Sequence, residues 1–174
     1  MALDMEKRLE EFLAHARSAY GDLQNPDYGF FGDALEVRPW RPVVDRLREF
    51  MRVEDWTDRE DDVSFSYELM VKQRRRRSFV WVLWLSAVGP FALLAGVPLD
   101  TEVSRADVIT EPRADGSPEE TRIVQVLREA GIQLLSAEEV EWTVNDFRPW
   151  DGRFPVSVFV LLFGESDVPW WHAF

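Results

Sequence analysis

The feature that most constrains this chain is an uncharged run, residues 78–99, that directly follows four arginines. About 20 apolar residues can cross a bilayer as a helix, and arginines commonly flank such a helix on its cytoplasmic side. However, Gly89 and Pro90 stand in the middle of the run, where they would interrupt a helix. Its first half is rich in β-branched and aromatic residues, which favour strands. We therefore predict two strands that meet at Gly89-Pro90, and no membrane span.

The segment before the arginines alternates between two kinds of side chain. Residues 63–71 read V-S-F-S-Y-E-L-M-V, which places the apolar members on one face and Ser64, Ser66 and Glu68 on the other. This period of two predicts a half-buried strand. With residues 78–87 and 90–97 it makes three successive strands, of which the middle one is apolar enough to be covered on both faces. The pattern predicts a β-meander but does not fix the full strand order.

Three segments have the apolar spacing of helices. The first runs from Met5 to Tyr20 and is predicted to end at Gly21. The second begins near Pro42, since proline suits the first turn of a helix. The third begins at residue 117 and is predicted to end at Gly131.

Two S-x-x-E motifs predict where helices begin. Ser117 and Glu120 fit a capping box, in which each side chain accepts from the other residue's backbone N–H. Ser136 and Glu139 repeat the pattern and predict a further short helix.

Two other segments carry weaker signals. Residues 25–40 are rich in glycine, proline and aromatics, so we predict an ordered loop with Tyr28, Phe30 and Phe31 against the core. Residues 156–163, V-S-V-F-V-L-L-F, are predicted to form another strand. The order of elements predicts a single α+β domain over residues 1–174, with an antiparallel sheet built on the three-stranded meander and helices packed against it.

The sequence lacks the motifs of the common catalytic and metal sites. It has no cysteine, which excludes disulfides and thiolate ligands, and its two histidines are far apart. It has no nucleophile-elbow motif and no glycine-rich phosphate-binding motif. We therefore predict no catalytic residue, no metal site and no cofactor.

The charge of the chain favours a protein partner. The net charge is −12, which disfavours nucleic acid and suits a basic protein. Six acids and one base are concentrated in residues 54–62. The predicted partner-binding residues are Glu54, Asp55, Trp56, Asp58, Asp61 and Asp62. A basic tip at residues 72–77, predicted at the opposite end of the sheet, and loops that carry tryptophans are alternative surfaces, because exposed aromatics often anchor interfaces.

These observations lead to a functional expectation. An acidic chain without cysteine or a catalytic motif has the general character of a bacterial immunity protein, an inhibitor that neutralises a toxin by direct binding. We expect a cytoplasmic protein, since acids occupy the position where a signal peptide would have an apolar core. We expect it to be a monomer or a homodimer. A dimeric protein of the secretion-chaperone kind is the alternative, and an enzyme of unknown reaction is a third.

Overall fold

The computed structural model describes residues 2–60, 62–72, 79–98, 106–152 and 154–164. The helices are α1 Ala2–Tyr20, α2 Gly29–Val37, α3 Arg41–Phe50, α4 Pro118–Glu129, α5 Ala137–Glu141 and α6 Val158–Phe163. The strands are β1 Met51–Asp55, β2 Ser64–Val71, β3 Phe79–Ser86, β4 Phe91–Pro98, β5 Asp107–Val108, β6 Gln133–Leu134, β7 Thr143–Val144 and β8 Val156–Ser157.

The main sheet is an antiparallel meander, as predicted. Its strands follow the order β1-β2-β3-β4-β5, and β6 pairs with β4 in parallel. The described part of the uncharged run forms β3 and β4, in register Leu83 with Leu94, and Gly89-Pro90 lies in the turn between them. Of the helices that the structure describes, none combines the length and the apolar character that a membrane span needs.

The sheet carries helices on both of its faces. Trp81 and Trp84 of β3 project to opposite sides, as expected for positions three apart in a strand. The Trp81 indole contacts α4, and the Trp84 ring packs against Phe159 of α6. On the α6 side, Phe12 of α1 meets the ring of Phe91 edge-on at 5.1 Å. The result is an α+β architecture.

The prediction that β2 is half buried is wrong. Ser64 and Ser66, assigned to a solvent face, are buried, and neither hydroxyl has a hydrogen-bond partner among the described residues. Only Glu68 of that face is partly exposed. The alternation of side chains was interpreted correctly, but it does not reveal whether the polar face is covered by another element.

Strand β1 was not anticipated, because its charged residues Arg52, Glu54 and Asp55 hide the alternation of Met51 and Val53. It pairs with β2 in register Val53 with Leu69. Residues 54–62 are therefore not a free segment before the sheet. Glu54 and Asp55 form the end of β1, and the described residues after them belong to the connection of a β1–β2 hairpin.

Residues 29–37 form a helix where a loop was predicted. Helix α2 begins after Tyr28 without a side-chain cap, so the usual start signal is missing. The predicted aromatic contacts do exist: Phe31 packs on Phe65 and Phe30 on Tyr20, with ring centroids 5.7 and 5.0 Å apart.

Residues 156–163 are not a strand throughout. Only Val156–Ser157 pairs, with β7, and the chain then turns into α6. The Ser157 hydroxyl caps this helix by accepting from the N–H of Val160 at 3.4 Å. A short run that is apolar on every side fits a buried helix as well as a buried strand, so periodicity could not separate the two.

The two predicted caps differ in detail. At α5 the capping box is complete: the Ser136 hydroxyl accepts from Glu139 N at 3.1 Å, and the Glu139 carboxylate accepts from Ser136 N at 2.8 Å. At α4, Ser117 accepts from Glu120 N at 3.3 Å, but the Glu120 carboxylate turns to other partners. The Glu120 half of the capping box predicted at residues 117–120 is therefore wrong.

Replacing Ser117 by alanine is expected to lower the free energy of unfolding by about 1 kcal/mol, because the N-terminal N–H groups of α4 lose their side-chain acceptor. Thr121→Ala is the control. Thr121 is exposed one turn further along α4, where alanine is the better helix former, so stability should stay the same or rise slightly. Urea unfolding measures both, and equal losses would show that the cap contributes nothing.

Candidate functional site

The described residues of the β1–β2 connection are tied to β2 by hydrogen bonds. The N–H of Trp56 donates to the carbonyl of Ser66 at 2.8 Å, and the N–H of Ser66 donates to Thr57 Oγ1 at 3.2 Å. Within the loop, Asp55 accepts from Thr57 N at 3.0 Å and Asp58 accepts from Glu60 N at 2.8 Å. Such contacts between a carboxylate and the backbone two residues later are typical of tight turns. The acids therefore help to shape the loop that presents them.

The loop exposes an aromatic side chain among acids. Trp56 is 65% exposed, and Asp55, Asp58 and Glu60 are exposed beside it in the sequence. We call Asp55, Trp56, Asp58 and Glu60 the acidic hairpin surface. An exposed tryptophan is informative because its large apolar ring is normally at least partly covered.

The structure brings together part of the predicted site. Asp55, Trp56 and Asp58 lie in the acidic hairpin surface. Glu54 precedes Asp55 in β1 and so points to the opposite face of the sheet, where it pairs with Arg52. Asp62 is only partly exposed, and its backbone forms an antiparallel bridge with Gly164. Asp61 lies outside the described residues. Glu60 belongs to the same surface and was not singled out from the sequence.

The alternative surfaces are described only in part. Lys72 follows the far end of β2 from the acidic hairpin surface, and its ammonium donates to the carbonyl of Glu49 at 2.9 Å. Residues 73–77 of the predicted basic tip, Trp170 and Trp171 lie outside the described residues. Trp150 is strongly exposed. Trp40 is half-buried, and its indole N–H donates to the carbonyl of Ser86 at 2.8 Å.

A pocket of about 280 Å³ adjoins the hairpin and was not predicted. It lies between the start of α3 and the face of β2 that carries Phe65 and Tyr67. The lining residues are Arg38, Trp40, Arg41, Val44, Asp45, Arg48, Phe65 and Tyr67. Arg38 connects the two features, since its guanidinium lies 3.7 Å from the Asp55 carboxylate. We call this the arginine pocket.

Tyr67 lines the arginine pocket, and the pKa of its phenol is strongly shifted. Burial raises the pKa of its phenol to about 12, Asp55 adds to the rise, and Arg38 and Arg48 oppose it. The hydroxyl therefore keeps its proton at neutral pH and can donate a hydrogen bond.

The described residues contain no group of three or more histidine, aspartate or glutamate side chains placed to hold a metal ion. Comparison with protein-family models, with curated proteins and with solved structures found no match to this chain.

Proposed function

We propose that this chain is an acidic protein-binding inhibitor, a cytoplasmic immunity protein that neutralises a basic toxin by covering it directly. The observation that carries the proposal is the acidic hairpin surface, where Trp56 stands exposed beside Asp55, Asp58 and Glu60 on a loop shaped by its own hydrogen bonds. An ordered loop loses less conformational entropy on binding than a flexible one.

Two physical effects would act in sequence at this surface. The acids, in a chain of net charge −12, attract a basic partner over roughly a Debye length, about 8 Å at physiological ionic strength. The Trp56 indole then loses its water on contact. Buried tryptophans are frequent among the few residues that hold an interface together. Charge therefore sets the rate of association, and the indole sets the rate of dissociation.

The test uses the protein encoded by the reading frame directly upstream of this chain. If that protein arrests bacterial growth, co-expression of this chain should restore growth. Asp58→Lys combined with Glu60→Lys should slow association of the two purified proteins about tenfold or more at low salt, and less at high salt. Stopped-flow or surface-based kinetics at two salt concentrations measures the rate.

The matched control reverses the same amount of charge elsewhere. Glu6 and Glu138 are exposed acids on α1 and α5, and their double replacement by lysine should slow association far less. Trp56→Ala should mainly speed dissociation. Equal slowing by both charge reversals would show that total charge matters and the hairpin does not. A partner that stays active while bound to a dimer of this chain would contradict inhibition and favour the chaperone alternative.

A further inference from the structure

The arginine pocket gathers positive charge on the surface of an acidic chain. Three guanidiniums and the Asp45 carboxylate line it, and the Asp55 carboxylate lies beside Arg38. The guanidiniums outnumber the carboxylates, so the local charge is positive. Arg48 makes a hydrogen bond to Asp45 at 3.0 Å. The guanidinium of Arg41 lies 3.7 Å from Asp45, and that of Arg38 lies 3.7 Å from Asp55. Those two distances exceed a hydrogen bond, so both guanidiniums keep N–H donors for another acceptor.

The Tyr67 hydroxyl adds a neutral hydrogen-bond donor to the arginine pocket. Tyr67 is 5% exposed and lines the pocket, and its hydroxyl makes no hydrogen bond to another residue in the described part of the chain. The hydroxyl oxygen is not enclosed like the buried Ser64 and Ser66 hydroxyls, so it opens on the pocket. The residue is fixed in β2, where it is paired with both Leu83 and Asp55. Its donor is therefore held in place beside the arginines.

The remaining lining is flat and apolar. Phe65 and Val44 are buried, and the Trp40 ring is anchored by its hydrogen bond to Ser86. The pocket has a volume of about 280 Å³. This is close to the lower end of ordinary ligand pockets, about 300 Å³. The pocket therefore has room for a small anion that carries one ring.

We propose that the arginine pocket binds a small phosphate monoester whose phosphate contacts the three guanidiniums and Tyr67 and whose flat group lies against Phe65 and Trp40. A phosphate monoester carries a charge of about −1.5 to −2 at neutral pH and three strong acceptor oxygens. It can therefore engage more of these donors than a carboxylate, which has one negative charge and two oxygens. This inference does not rest on the proposed inhibitor function, although the contact between Arg38 and Asp55 joins the pocket to the acidic hairpin surface.

The test titrates the purified chain with phenyl phosphate by calorimetry and by ligand-detected NMR. Phenyl phosphate should bind in the millimolar range or tighter. Inorganic phosphate, which lacks the ring, should bind more weakly, and benzyl alcohol, which lacks the charge, should not bind. Equal binding of benzoate and phenyl phosphate would overturn the assignment to phosphate. No detectable binding of phenyl phosphate would overturn the proposal.

Substitutions on one helix provide a matched comparison. Arg48→Gln should weaken phenyl phosphate binding about tenfold or more, because a charged hydrogen-bonding group is lost. Arg46 is the control: it lies on α3, is similarly exposed, and pairs with Glu129 of α4 away from the pocket lining. Arg46→Gln should leave binding unchanged. Equal weakening by the two changes would mean that general charge, not the pocket, attracts the anion.

Tyr67→Phe tests the hydroxyl without disturbing the ring. It should weaken phenyl phosphate binding while thermal unfolding of the unliganded protein stays the same or moves to higher temperature, because the lost hydroxyl had no partner among the described residues. A purely structural tyrosine would behave in the opposite way: Tyr67→Phe would then destabilise the protein and leave binding unchanged.

Discussion

Replacing Glu120 by alanine is expected to lower the free energy of unfolding by about 3 kcal/mol, the lower end of the cost of breaking a buried ion pair. Glu120 is 0% exposed. Its carboxylate accepts from the indole N–H of Trp81 at 3.0 Å and from the backbone N–H and the guanidinium of Arg113. Alanine leaves the buried indole without an acceptor. The lower end applies because the Arg113 side chain is partly exposed and can be hydrated.

The neighbouring residue supplies the control for this prediction. Glu119 also lies in the first turn of α4 but is partly exposed, so Glu119→Ala should cost less than about 1 kcal/mol. Urea unfolding of both variants gives the comparison. Equal losses of unfolding free energy would show that the contacts of Glu120 stabilise the fold no more than a surface ion pair does.

The same carboxylate makes stability depend on pH. Burial by itself raises the pKa of Glu120, but the hydrogen bonds from Arg113 and Trp81 outweigh it and hold the pKa below the ordinary value of 4.5. The folded state then takes up this proton less readily than the unfolded state. The contribution of Glu120 to the free energy of unfolding is complete above about pH 4.5. It is lost as the pH falls through the lower pKa of the folded state. Glu120→Gln should remove this part of the acid sensitivity, which unfolding at several pH values below 5 would show.

Local sequence patterns correctly predicted the elements that depend on residues close together in the sequence. The alternation in residues 63–71, the Gly89-Pro90 break and the helical spacing up to Tyr20 all led to correct elements. Charges hid β1, and α2 lacks a capping side chain. Glu120 shows the limit most clearly. Its S-x-x-E motif is the same as that of Glu139, yet the indole of Trp81 and the guanidinium of Arg113 draw its carboxylate away from the cap. Only the packing of α4 on the sheet decides this.

The two candidate sites also differ in how far the sequence could predict them. The exposure of Trp56 and Asp58 could be anticipated, because a dense acidic segment is difficult to bury. The arginine pocket could not, because Arg38 and Arg41 flank the start of α3 while Tyr67 comes from β2. They come together because β1, which directly follows α3 in the chain, pairs with β2.

Replacing Gly164 by alanine is expected to lower the free energy of unfolding by about 3 kcal/mol, from backbone strain of order 1–3 kcal/mol and steric crowding of similar size. Gly164 has φ 90° and ψ −166°, a region that is essentially restricted to glycine. An added Cβ would lie 2.5 Å from the backbone nitrogen of Val63 and 2.8 Å from the Cα of Asp62. These backbone atoms belong to the bridge between Asp62 and Gly164, so they cannot move aside as a flexible side chain would.

Gly131 is the control, because alanine there would meet backbone strain without steric crowding. It has φ 73°, but an added Cβ would meet no atom within 4 Å, so Gly131→Ala should cost about 1 kcal/mol. Urea unfolding of the two variants measures the difference, and equal losses would show that the close approach at Gly164 is relieved easily. The comparison also bears on the proposed function, because the Asp62 bridge fixes the end of the acidic loop next to β2. If binding needs this loop held in place, Gly164→Ala should slow partner association without changing any charge, and Gly131→Ala should not.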